Sequence, residues 1–145
     1  MSGDAPVTLL RLLVVDDEPF ILREIARGLS RKWGPVLTAQ SAAEAASLIG
    51  AHPQIGVMVT DIRMPGEDGI NLAGRMFDAR AEAQALEVVL ISGHAMPCDV
   101  AQMPQGGHAE FVQKPFRLAE LDEAVSRAHA RAVERRSHAA ACERP

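Results

Sequence analysis

At 145 residues the chain suits one domain, long enough to bury about two thirds of the surface its unfolded form exposes. Its 48% hydrophobic and 23% charged content is that of an ordinary globular protein, and no apolar run approaches the ~20 residues of a membrane helix. The formal charge of −4 leaves no bulk electrostatic footprint for nucleic acid, and Cys98 and Cys142, far apart and without metal or redox spacing, suit a reducing, cytoplasmic compartment.

In chain order, residues 1–8 read as a mobile lead-in. The LLRLLVV run is a poor signal peptide, because acidic residues bracket it and no small-residue cleavage site follows. A first strand is predicted over 11–15, ending in Asp16-Asp17-Glu18-Pro19. Proline at the first helical position presets φ and needs no hydrogen bond there, so a helix should follow at once. Ile21, Leu22, Ile25, Ala26 and Leu29 give it an apolar face, with Arg23, Glu24, Arg27 and Arg31 on the other, as far as Trp33-Gly34-Pro35. A weaker strand over 35–39 precedes Ser41 and Glu44, a capping box that opens a helix through Leu48 and Ile49. Gly50 is expected to close it.

Residues Ile55, Val57, Met58 and Val59 then read as a strand buried on both faces, which Thr60-Asp61 ends. A turn at Met64-Pro65-Gly66 leads into a third helix over 69–80, whose apolar face is Ile70, Ala73, Met76 and Phe77. The strand over 86–91, LEVVLI, reads as fully apolar and ends in Ser92-Gly93-His94. Between 95 and 107, Pro97, Pro104, Gly106 and Gly107 leave room for at most two turns, a short and loosely held fourth helix. A last strand over 109–113 meets Lys114-Pro115-Phe116. Leu118, Leu121, Val125 and Ala128 mark a final helix to about 135, and 136–145 is expected to fray. Strands and helices alternate five times, which argues for an α/β domain over 9–135: a parallel sheet, covered on both faces, with right-handed crossovers.

In such sheets ligands bind outside the carboxyl ends of the strands. The residues there are Asp16 and Asp17, Asp61, Ser92 and Lys114. Taken singly, Asp16-Asp17 could be an acidic pair at a helix N-terminus and Asp61 a turn residue. Three carboxylates, a hydroxyl and an ammonium at four strand ends argue instead for a built site. Carboxylates within a few ångströms raise one another's pKa unless a cation intervenes, and a hard divalent ion such as Mg²⁺ accepts carboxylates together with phosphate oxygens. An aspartate can itself accept a phosphoryl group. No His, Cys and acid spacing suggests zinc.

With these motifs in order, the chain resembles the receiver domain of the two-component response-regulator family, in a single-domain, chemotaxis-regulator-like form. The matching residues are Asp16-Asp17-Glu18, Asp61-Ile62-Arg63-Met64-Pro65-Gly66, Ser92-Gly93 and Lys114-Pro115-Phe116. The resemblance implies a flavodoxin-like, doubly wound, five-stranded parallel sheet in the order 2-1-3-4-5 with five helices. It implies phosphorylation of Asp61, with Mg²⁺ (or Mn²⁺) held by Asp17, Asp61 and the Arg63 backbone carbonyl, and Asp16 helping through water. Ser92 and Gly93 would bind the phosphate as the switch, Lys114 would pair with it, and Phe111 would be the aromatic that changes rotamer. By their positions, Arg63 and His94 would tune the phosphate's lifetime.

The implied phosphodonor is a histidine kinase or histidine phosphotransfer protein. The output would be protein contacts through the face of the fourth helix, fifth strand and fifth helix, including phosphorylation-dependent homodimerisation. No DNA-binding domain and no membrane segment is expected, and the opening Met1 favours a stand-alone protein over a fragment. Two rivals remain open. A Mg²⁺-dependent phosphatase with an aspartate nucleophile would want a second Asp where Arg63 stands; a pseudo-receiver scaffold would never carry phosphate.

Overall fold

The computed structural model describes residues 10–81, 84–93 and 109–143, with Cys142 and Glu143 described through their backbone only. Five strands form one parallel sheet: β1 (Arg11–Val15), β2 (Leu37–Ala39), β3 (Ile55–Asp61), β4 (Glu87–Ser92) and β5 (Ala109–Gln113). Their spatial order is β2-β1-β3-β4-β5, the expected doubly wound arrangement. Helices α1 (Pro19–Trp33), α2 (Ala42–Ala51) and α3 (Gly69–Ala79) connect them, and a C-terminal helix (Leu118–Glu143) closes the fold. The expected fourth helix falls in 94–108, outside the described residues.

The continuous apolar runs have a direct structural cause, since both sheet faces are covered. Leu13, Val15, Met58, Val88 and Leu90 point into one core with Ala45 and Ile49 of α2 and Ile70, Ala73 and Met76 of α3. Their chain neighbours Leu12, Val14, Val57, Val59, Val89 and Ile91 point into the other, with Leu22, Ile25 and Leu29 of α1 and Leu121, Val125 and Ala128 of the C-terminal helix. Strand periodicity of two thus divides each run between two cores.

Several boundaries differ from expectation. Strand β2 starts only at Leu37. Ser41 does cap α2, accepting from the Glu44 N–H at 3.1 Å, while Glu44 reaches back to the N–H of Gln40 rather than Ser41. Gly50 lies inside α2, which ends at Ala51 with His52 as its cap; Gly50 has no positive φ, so nothing there breaks the helix. The C-terminal helix continues through Glu143. Arg131, Arg135 and Arg136 anchor that stretch on β4 and on the carbonyls of Ala85 and Ile55, which holds the helix beyond its last apolar turn.

Strand β4 is also not fully apolar. Glu87 is completely buried, on the face that meets the C-terminal helix, and its two carboxylate oxygens accept from Arg131 and Arg135. A buried carboxylate is tolerable when paired and hydrogen-bonded in this way. Next to it, Glu110 on β5 accepts from Arg127 and Arg131, both at 2.8 Å.

Candidate functional site

Strand order reverses between β1 and β3, so the crevice at their carboxyl ends is the natural ligand site. Asp16 follows β1 and Asp61 is the last residue of β3. Backbone hydrogen bonds bind the neighbouring strand ends to them. The Asp16 N–H donates to the Ala39 carbonyl, the Ile62 N–H to Ile91, and the Lys114 N–H to Ser92 at 2.8 Å. Parallel pairing therefore brings residues from distant parts of the chain to one edge in fixed register.

At its centre Lys114 donates through Nζ to Asp61 Oδ2 at 2.8 Å. Asp61 Oδ1 accepts the Arg63 N–H at 3.1 Å, which folds the turn back over the carboxylate. The side chain of Asp61 keeps 13% exposure and that of Lys114 33%, so the pair is sheltered yet reachable from solvent. Asp16 is nearly fully buried, and its Oδ1 accepts the Glu18 N–H at 2.9 Å. Burial raises the Asp16 carboxyl above the ordinary aspartate range. The Glu18 bond opposes that shift, the charges of Asp61 and Asp17 add to it, and Lys114 counters it.

Two further features set the position of Asp61. Buried Thr60 donates through Oγ1 to the Asp61 carbonyl at 3.0 Å. Gly69, the first residue of α3, lies so close that a Cβ there would sit 2.4 Å from the same carbonyl oxygen. Asp68 caps α3 by accepting the Asn71 N–H at 2.7 Å, and Gly66 takes φ +88° in the turn between. Sequence reasoning passed over Thr60 and Gly69; the polar Thr60 ahead of Asp61 and the Asp68-Gly69 helix start were the available signals.

The structure brings together Asp16, Asp61 and Lys114, with buried Ser92 at the end of β4 and exposed Gly93 beside it. Asp17 is exposed, and among the described residues no three acidic, histidine or cysteine side chains form a metal-holding group. Asp16 accepts the Glu18 N–H and Asp61 pairs with Lys114, while the charges of Asp61 and Asp17 still act on Asp16. Carboxylates at this edge are the kind of oxygen ligand that suits a hard divalent ion, and burial, with neighbouring negative charge, pushes the Asp16 carboxyl up. Phe111 lies on β5 at 36% exposure, and the Arg63 side chain is exposed. His94 lies outside the described residues.

A doubly wound sheet with an ion-paired aspartate at its switch point defines a domain whose chemistry sits on the carboxyl edge. Residues 12–126 match the response regulator receiver domain family, and the chain belongs to that family. It is 33% identical over 129 residues to the C4-dicarboxylate transport transcriptional regulatory protein DctD of Pseudomonas aeruginosa, covering 88% of this chain and 27% of that protein. It is 34% identical over 134 residues to the transcriptional regulatory protein KdpE of Mycobacterium tuberculosis, covering 92% of this chain and 55% of that protein. The chain thus spans between about a quarter and about half the length of these two relatives. A response regulator receiver domain protein from Clostridium thermocellum has the same fold, with a TM-score of 0.75 at 27% identity over 85% of this chain and 96% of that one. Among the described residues no helix is long and apolar enough to cross a membrane.

Proposed function

We propose that the protein is a cytoplasmic phosphoacceptor in two-component signalling, not a turnover enzyme, and that Asp61 takes the phosphoryl group from a phosphohistidine on a histidine kinase or histidine phosphotransfer protein. The observation that carries this reading is the sheltered Asp61–Lys114 pair at the switch point, at 2.8 Å and flanked by buried Asp16. An Asp61 carboxylate oxygen forms the new P–O bond while the P–N bond breaks, and its electron pair leaves with the imidazole nitrogen. The result is an aspartyl phosphate. Lys114 and the N–H of Arg63 already donate to the two carboxylate oxygens, so they fix the nucleophile's orientation and face the incoming charge.

Asp17, Asp61 and the Arg63 carbonyl would hold Mg²⁺ (or Mn²⁺), with Asp16 acting through water. The ion would supply charge neutralisation for the transferred group. Ser92 and Gly93, at the end of β4, are suited to bind the phosphoryl oxygens. Phe111, half-exposed on β5, is suited to be the rotamer switch that reports this to partners at the β5 and C-terminal-helix face. Arg63, exposed two residues beyond Asp61, is placed to screen the phosphate from water. Exposed Phe20, Ile21 and Leu118, on the elements that follow Asp17 and Lys114, offer an apolar surface for the phosphodonor.

The test is incubation with a small phosphodonor and Mg²⁺, read by intact mass. A gain of about 80 Da in the wild type, lost in Asp61→Asn, is the expected result. Continuous donor turnover without an adduct would favour a phosphatase, and neither adduct nor turnover would favour a scaffold.

A further inference from the structure

Arg23, Arg27 and Arg31 recur every fourth residue along α1, and all three are exposed. At 1.5 Å rise per residue they make a stripe about 12 Å long. None of them takes part in the ion pairs found among the described residues. Like charges at this spacing destabilise a helix. Glu24 shares this helix face but forms no ion pair with them among the described residues, so the stripe keeps an excess of positive charge on a chain whose formal charge is −4.

The stripe borders a cleft of about 390 Å³ between α1 and the edge strand β2. Arg23 and Arg27 form one wall, Leu22, Ala26 and Val36 supply apolar contact, and Thr38 and Gln40 stand opposite. Among the described residues no acidic side chain lines it. Because β2 lies at the end of the sheet, no further strand of the sheet among the described residues covers this side.

We infer that this cleft docks an acidic, amphipathic segment of a partner protein, with carboxylates on Arg23 and Arg27 and an apolar side chain against Leu22, Ala26 and Val36. Guanidinium groups pair carboxylates through two parallel hydrogen bonds, which gives geometry as well as attraction. A nucleic acid suits the cleft less well, because the stripe is short, the floor is apolar and the chain's net charge opposes a polyanion. The inference does not rest on the role of Asp61.

The test is a chemical-shift titration of the ¹⁵N-labelled full chain with a short synthetic peptide that alternates pairs of Glu with pairs of Leu. Equal-length all-Glu and Lys-for-Glu peptides and a DNA duplex serve as comparison probes. Saturable shifts confined to α1 and β2 are expected, with the Glu–Leu peptide binding about tenfold tighter than the all-Glu peptide or the duplex. The double variant Arg23→Glu/Arg27→Glu should weaken that binding by a further tenfold or so, with circular dichroism and melting unchanged. Should charge reversal lower the melting temperature, Arg23→Gln/Arg27→Gln carries the comparison. Absent or misplaced shifts, equal binding of the all-Glu peptide or the duplex, or an unaffected variant would overturn the inference.

Discussion

Gly69→Ala puts the coupling between fold and site to a quantitative test. Gly69 has no positive φ, so alanine is conformationally acceptable there and would ordinarily stabilise by ~0.4–1 kcal/mol through the unfolded state. The obstacle is steric. The new Cβ would lie 2.4 Å from the Asp61 carbonyl oxygen and 3.1 Å from both the Asp61 carbonyl carbon and Ile62 Cα. All three are backbone atoms. Restoring an ordinary contact requires the start of α3 and the end of β3 to part by about 1 Å. That movement strains the 2.8 Å bond from the Gly69 N–H to the Ile62 carbonyl. Overpacking of ~1–3 kcal/mol and a weakened hydrogen bond of ~1 kcal/mol, less the entropic gain, leave a net loss of about 2 kcal/mol. This corresponds to a melting temperature lower by roughly 5–8 °C for a domain of this size. Asp61 lies at the point of strain, so adduct formation from a small phosphodonor should slow as well. Gly50→Ala is the matched control: it lies within α2 with nothing near its would-be Cβ, and should stabilise by ~0.5–1 kcal/mol. If Gly69→Ala melts at or above the wild type, as Gly50→Ala should, the steric reasoning is wrong.

Glu87→Gln should cost about 2 kcal/mol in urea unfolding, because it removes the charge that two guanidinium groups share at a fully buried site while Arg131 and Arg135 are only partly solvated. A variant within 0.5 kcal/mol or so of wild type would mean that the arginines find water at no loss. Lys114→Ala should change stability by less than about 1 kcal/mol, since the pair is partly exposed, yet impair phosphorylation or the response to it. An unimpaired variant would remove Lys114 from the site. His129 gives a pH dependence. Its Nε2 accepts the Leu10 N–H at 3.0 Å, and burial pushes its pKa below the ordinary 6.5. The unfolded chain then binds the proton more readily, so stability is whole above pH 6.5 and declines as pH falls below it. Trp33 packs against this ring at a tilt of 44°, and Trp33 Nε1 and Lys32 both donate to Asp122, whose charge keeps a local balance. Urea midpoints at pH 7.5 and 5.5 should fall less in His129→Gln than in the wild type; identical slopes would contradict the assignment.

The sheet was legible because its strands write burial on both faces as unbroken apolar runs, and the helices because their apolar residues recur at 3.6. The strand-end residues Asp16, Asp61 and Lys114 were legible for a related reason: a charge at the end of a buried run has few structural uses. Polar residues inside the elements were not. Glu87 lies in an otherwise apolar run, and its partners Arg131 and Arg135 are more than forty residues away. Arg80 is another such case, donating to the carbonyls of Ile49, His52, Pro53, Ile55 and Gln84, and so tying the end of α2 to the loops at the foot of the sheet. Periodicity has no access to contacts of this kind, which are fixed only once the strands are in register. The C-terminal helix outran its expected end for the same reason, since arginine anchors rather than apolar turns hold it.

The charges at the carboxyl edge also explain why the site accommodates Asp61 at all. Among the described residues Lys114 is the cation that acts on the carboxylates of Asp61 and Asp16, with Asp17 close enough to raise Asp16 as well. One ammonium does not neutralise this group, and the protein compensates by spending backbone N–H groups, from Glu18 on Asp16 and from Arg63 on Asp61. Those bonds are available only because each strand turns sharply after its acid, which is the local function of the Glu18-Pro19 and Met64-Pro65-Gly66 segments. The negative charge left at this edge is then a property of the fold's geometry, and carboxylates so placed are the kind of oxygen ligand that a hard divalent cation takes.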